Sequence, residues 1–324
     1  MRTSLPQLPD LEALTVGLTS VFRGNGSTDG QVTVLDREPS IYAATFPNEI
    51  VTCRFDDRRE LRVFCKYAAG RSHNVYGHRG GVAYEAEVYR QVLQPSQAST
   101  PRFYGTYASS TTNKTWLILE YLDKSVRVNK TPEPAAMALA ARWIGRFHDA
   151  YEERLSHVLM PFLNRYDAEY YLGWAHRTSL FAGHWHRRFP WLSTLCERFE
   201  EFVAPLLTPP PTVIHGEYYP KNVLFRGGKV YPVDWESAAV ATGEIDLATL
   251  TEGWPAEIVR ECELEYQRAR WPEGSPADFE RRLAAARLYL PFRWLGDRPD
   301  WTTHETALWR FEQLRSAGER LGLI

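Results

Sequence analysis

Apolar and polar positions alternate with a period of two in three early stretches, residues 32–35, 49–55 and 61–67, which predicts strands. A helix and a loop precede them over residues 1–30, where SVFRGNGSTDG carries the Gly, Ser and Asn of a turn. Residues 82–93 change to helical spacing, with Val82, Ala86, Tyr89 and Leu93 on one stripe. A hairpin follows, residues 102–107 and 115–119, joined by the polar turn ASSTTN. Beyond it the period stays helical. Thr131-Pro132-Glu133 reads as an N-cap with proline at the first position of a helix through Tyr151, which buries Met137, Ala140, Ala141, Ile144, Phe147 and His148. Further helices are expected over 192–206, 255–269, 276–290 and 304–321. One β interruption remains: 213–214, then 223–225 and 230–233 joined at Gly227-Gly228, a dipeptide suited to a tight turn of positive φ. The pattern implies an α+β chain, with the sheet early and the helices late.

Candidate chemistry gathers in that interruption, VIHGEYYPKNVLFRGGKVYPVDWE. His215-Gly216-Glu217 opens a loop that Asn222 closes, and the hairpin is expected to fold Asp234 and Glu236 back towards Glu217 and Asn222. Three carboxylates and a carboxamide suit a divalent cation and a phosphate chain, because Mg²⁺ prefers a few oxygen ligands plus phosphate oxygens. A polar loop with solvated acids is the plain alternative. Upstream, LRVFCKY ends a buried-looking strand on Lys66, and a lysine there needs an anion to offset its desolvation. A phosphate or a glutamate would serve; a strand-end lysine in solvent is the competing reading. Glu85 lies at the edge of the buried stripe of its helix and Glu87 on the opposite side, so Glu85 is the candidate partner.

Composition narrows the class. The 324 residues are 44% hydrophobic and 24% charged, as in ordinary globular proteins, and long enough for one large domain or two lobes. A net charge of -2 argues for neither nucleic acid nor an anionic membrane surface. Cys53, Cys65, Cys196 and Cys262 are scattered without a CxxC pair and read as reduced thiols of a cytoplasmic protein. The first residues lack the apolar core of a signal peptide, and no apolar run approaches spanning length. The 11 Trp and 17 Tyr are unusual. Tyr166, Tyr170, Tyr171, Trp174, Phe181, Trp185 and Trp191 either stack on a substrate or form helical core, and Arg293 and Trp294 offer another pocket wall. His176, His184 and His186 lack the spacing of a zinc site.

HGEYYPKN followed by VDWE resembles the catalytic loop of the aminoglycoside phosphotransferase and choline kinase-like family, written H-G-D-x-x-x-x-N and then I-D-W/F-[DE]. GEIDLATL resembles the family's G-x-x-x-D-L-A, whose acid, Asp246 here, is structural. The resemblance implies a protein-kinase-like two-lobe fold, with a nucleotide-binding lobe over residues 1–122 and a catalytic and substrate-binding lobe over 123–324. It implies ATP and Mg²⁺ as cofactors: Lys66, paired with Glu85, on the α- and β-phosphates; Glu120 and Leu122 as the adenine-reading hinge; Asn222, Asp234 and Glu236 on metal. The connection 40–48, where a phosphate-covering loop would lie, contains no glycine. His215 is implied to brace the loop, His148 to be a core histidine, and Lys221 to face either the phosphates or solvent.

One position departs: Glu217 stands where the family has its catalytic Asp. The two acids have similar reference pKa values, about 3.9 and 4.3, so reach and not basicity is at stake. Either the loop has retreated and Glu217 remains the base, or the chain binds nucleotide with little turnover. The expected function is γ-phosphoryl transfer from ATP to a hydroxyl of a small molecule, a sugar, amino-alcohol or antibiotic, and the alternative is a nucleotide-binding pseudokinase with a scaffold role.

Overall fold

Asp10 accepts a 2.8 Å hydrogen bond from the Ala13 N–H and so caps helix α1 (Leu11–Gly24), whose Leu14, Leu18 and Phe22 are fully buried. The computed structural model describes residues 8–40, 46–68, 76–96, 98–108 and 114–324. The residues of the expected phosphate-covering loop, 41–45, half of the loop 68–81 and the tip of the ASSTTN turn lie outside those residues. Two compact units emerge, residues 1–126 with 224–237, and residues 127–223 with 238–324.

In the first unit α1 packs on a five-stranded antiparallel sheet ordered β1-β2-β3-β5-β4: β1 (Thr33–Pro39), β2 (Asn48–Arg54), β3 (Glu60–Tyr67), β4 (Phe103–Ala108) and β5 (Thr115–Glu120). Alternation explains which side chains meet the helix: Val63, Cys65 and Tyr67 of β3 face the same core as Val51 and Cys53 of β2. Lys66, one residue out of phase, points to the other face beside helix α2 (Gly81–Val88). That helix widens into a π turn over Tyr89–Leu93, all inside the expected helical span. The unit ends with β6 (Val126–Arg127), and chain re-enters it through the hairpin β9 (Val223–Arg226) and β10 (Lys229–Pro232). Gly227 and Gly228 turn it at φ 57° and 75°, the left-handed values that an L side chain resists.

The second unit is mainly helical. Its helices are α3 (Ala136–Leu155), α4 (Ala168–Phe181), α5 (Trp191–Arg198), α6 (Ala204–Leu207), α7 (Glu244–Thr251), α8 (Ala256–Arg270), α9 (Phe279–Leu295), α10 (Pro299–Thr303) and α11 (Leu308–Arg320). Strands β7 (Asn164–Arg165), β8 (Thr212–Ile214) and β11 (Ala239–Ala241) form a small sheet, β11 parallel to β7 and antiparallel to β8. Gly145 lets α3 lie against α8, since a Cβ there would come within 2.7 Å of the Tyr266 carbonyl.

Two expectations change. α3 begins at Ala136 without a side-chain cap, because Thr131 turns back only onto the Glu133 N–H (3.3 Å). The span 192–206 breaks into α5, a 3₁₀ turn and α6, where Pro205 lacks the donor a continuous helix needs. Tyr166, Tyr170, Tyr171 and Trp174 are buried, and Tyr170 and Tyr289 share a hydroxyl hydrogen bond of 3.1 Å, so this part of the aromatic segment is core. Cys53, Cys65 and Cys262 are buried and all four thiols are free. Among the described residues no helix is long and apolar enough to cross a membrane.

Candidate active site

Lys66 Nζ donates to Glu85 Oε2 at 2.7 Å and to Asp234 Oδ1 at 2.6 Å, and reaches Glu236 Oε2 at 3.4 Å, all within the first unit. Strand β3 supplies the lysine, α2 the glutamate, and the segment after β10 the other two acids. Glu85 is buried as the stripe reading requires, while Glu87 is half-buried and turns to Arg90 and Gln91. Glu85 also accepts the Trp235 N–H through Oε1 (3.1 Å), and the Trp235 indole N–H bonds Pro232 O (3.2 Å). Asp234 therefore sits between two fixed points. Its φ of 68° is one that few non-glycine residues adopt, and with the Trp235 N–H fixed on Glu85 it leaves the Asp234 carboxylate against Lys66.

Burial works against the charge on Lys66, but Asp234, Glu85 and Glu236 outweigh it and hold the ammonium well above its ordinary pKa. Burial also pushes the Glu85 carboxyl up, against the pull of Lys66 and with that of Asp234. These shifts agree in meaning. Among the described residues, the Lys66 ammonium and Arg79, 3.8 Å from Glu236, face three carboxylates whose oxygens lie within 4.8 Å of one another. An all-oxygen donor set of that kind fits Mg²⁺. In the same unit the Glu120 N–H donates to Arg102 O (2.8 Å) and its carboxylate receives Arg102 N–H (3.1 Å) and Arg226 (3.4 Å). Leu122 is buried and its carbonyl accepts the Ser125 N–H.

The second unit holds Glu217 and Asn222 on one buried loop between β8 and β9. Asp246, at the start of α7, anchors it: Oδ2 accepts the His215 N–H at 2.6 Å and Oδ1 the Gly216 N–H at 2.9 Å. Gly216 has φ 81°, so glycine is needed where the chain folds over that carboxylate. His148 Nε2 lies 3.2 Å from the same acid and its Nδ1 3.0 Å from the Tyr266 hydroxyl. The His215 ring accepts the Glu217 N–H through Nδ1 (3.3 Å), and Asn222 Nδ2 closes the loop on Glu217 O (3.0 Å). Lys221 is exposed and stands over the Tyr219 ring.

Arg293, fully buried in the last turn of α9, lies 3.2 Å from Glu217 Oε1. Its other nitrogen donates to the Tyr219 hydroxyl at 2.8 Å, which also receives the Trp294 indole N–H at 2.7 Å. The sequence marked Arg293 and Trp294 as a wall without linking them to Glu217. The signal was present: an arginine inside the apolar run LPFRWL is buried only with an acid to meet it.

The sequence profile of the phosphotransferase enzyme family matches residues 74–313. No curated protein matches the sequence. Among solved structures, a choline kinase from Cryptosporidium parvum Iowa II is similar at a TM-score of 0.61 and 13% identity, covering 95% of this chain and 97% of that one. A choline kinase from Streptococcus pneumoniae is similar at 0.58 and 11%, covering 90% and 94%. A spectinomycin phosphotransferase, solved with ADP and spectinomycin, is similar at 0.55 and 10%, covering 92% and 93%. These likenesses establish the α+β, protein-kinase-like fold.

Proposed function

This chain belongs to the phosphotransferase enzyme family, and we propose that it moves the γ-phosphoryl group of ATP to a hydroxyl of a small molecule. The observation that carries the reading is the buried Lys66–Glu85 pair with Asp234 and Glu236 beside it. Lys66 orients the α- and β-phosphates, and Glu85 keeps its ammonium in place. Asn222, Asp234 and Glu236 are the oxygen donors for Mg²⁺, which when bound offsets the negative charge of the phosphate chain. Glu120 and Leu122 are the adenine-reading residues of this proposal.

Glu217 orients the acceptor hydroxyl and takes its proton. The acceptor oxygen bonds the γ-phosphorus, the bond from that phosphorus to the β,γ-bridging oxygen breaks, and ADP leaves with the electron pair. A sugar, an amino-alcohol or an antibiotic would each supply such a hydroxyl, and the solved relatives act on molecules as different as choline and spectinomycin.

The test is ADP release from Mg-ATP, read with water alone and with a panel of sugar, amino-alcohol and aminocyclitol acceptors. Glu217→Gln should lower the acceptor-stimulated rate by about 100-fold or more while Mg-ATP still binds. Nucleotide binding with no transfer to any acceptor would favour a nucleotide-binding scaffold instead. Unchanged turnover in Glu217→Gln would remove that residue from the chemistry.

A further inference from the structure

We infer that Arg293 is the positioning residue that fixes the Glu217 carboxylate for its task, with Tyr219 as the brace that fixes Arg293. The inference rests on the proposed role of Glu217 and adds a residue from a helix 76 positions downstream. A glutamate side chain has three rotatable bonds, so its carboxylate sweeps a wide arc unless something holds it. Here Glu217 is 8% exposed and one oxygen, Oε1, faces Nη1 of Arg293, which is 1% exposed. The guanidinium is itself held: Nη2 donates to the Tyr219 hydroxyl, and Trp294 donates to the same oxygen from the other side. Trp294 also underlies both Arg293 and Arg310, each 4.7 Å from its ring centroid. The last turn of α9 is a favourable place for such a cation, because the carbonyl end of a helix carries partial negative charge.

Arg293 anchors the Glu217 carboxylate through Oε1. A planar fork suits this task better than a lysine, because it serves Glu217 and Tyr219 at once from a rigid frame. The arrangement also sets the length of the side chain. A shorter acid at position 217 would draw the carboxylate away from Arg293, and misplacement by about 1 Å can cost on the order of 100-fold in rate.

The experiment uses the full chain and the ADP-release assay with Mg-ATP, reading kcat and KM separately. Arg293→Gln should lower kcat by about tenfold to 100-fold with the KM for ATP nearly unchanged, and Arg293→Lys should recover part of the loss. Combined with Glu217→Gln, Arg293→Gln should cost little more, since both changes then disable one device. Undiminished kcat in folded Arg293→Gln, or losses that simply multiply in the double variant, would overturn the inference. If Arg293→Gln does not fold, Tyr219→Phe decides, since it keeps the ion pair and removes only the brace: a several-fold fall in kcat supports the inference and an unchanged kcat sinks it. Failure of the underlying reading looks different, because Glu217→Gln alone would then leave turnover intact.

Discussion

Lys66 donates a 2.6 Å hydrogen bond to Asp234, a residue 168 positions later in the chain. The bond joins the central strand β3 to the segment after the β9–β10 hairpin, and Glu85 on α2 completes it from a third element. The cluster is thus a junction of the first unit as well as a candidate phosphate site, and loss of its central ammonium should lower stability and turnover together.

Lys66→Met tests that double duty. Removing the buried ammonium takes away the cation shared by Glu85, Asp234 and Glu236, and breaking a buried pair typically costs about 3–5 kcal/mol. Denaturant unfolding should show a loss of that order, and ADP release should fall to background. Added Mg²⁺ should raise the melting temperature of the variant more than that of the parent, because a cation replaces the missing charge. A variant as stable as the parent would show that the acids are solvated and the cluster is no junction.

Asp234 separates shape from charge. At φ 68°, asparagine tolerates the backbone and valine does not. Asp234→Asn should keep the melting temperature within a few degrees and lose Mg²⁺-dependent turnover by about 100-fold or more. Asp234→Val should lose both, with about 1–3 kcal/mol of stability gone to the strained backbone. Equal stability of the two variants would sink the strain argument.

His148 gives the second unit a pH dependence. Burial holds its imidazole below the ordinary value near 6.5, although Asp246 pulls the other way. The folded unit therefore takes up its proton later than the unfolded chain as pH falls. The stabilisation is complete above about 6.5 and is lost progressively as pH drops below it, down to the depressed folded value. Thermal melts from pH 7.5 to 5 should show this loss, and His148→Gln, which cannot titrate, should flatten that part of the profile. An identical slope in the variant would assign the effect to other groups.

Much of this molecule was legible in the chain because its signals are local. The period of two put Lys66 at the end of a buried strand, the stripe Val82–Ala86–Tyr89–Leu93 put Glu85 rather than Glu87 inward, and Gly227-Gly228 announced the turn that the structure makes with positive φ. Short-range rules of that kind need no knowledge of neighbours. The family likeness of HGEYYPKN and VDWE also needed only residues in sequence.

What tertiary structure alone decided is which distant groups share a charge. Nothing in the neighbourhood of residue 217 points to residue 293, yet Arg293 meets Glu217 because α9 brings its last turn there, and burial forces the two charges to pair. The same holds for Lys66 with Asp234, and for His148 and the loop amides gathered on Asp246. The aromatic segment was ambiguous for a related reason: a tyrosine stripe reads alike whether it lines a pocket or fills a core, and only the helix packed across it, α9 with Tyr289, made Tyr170 and Tyr171 interior. Sequence thus set the elements and the candidate chemistry, while the pairing of charges across long separations was fixed by packing, because desolvation is paid only where the chain closes on itself.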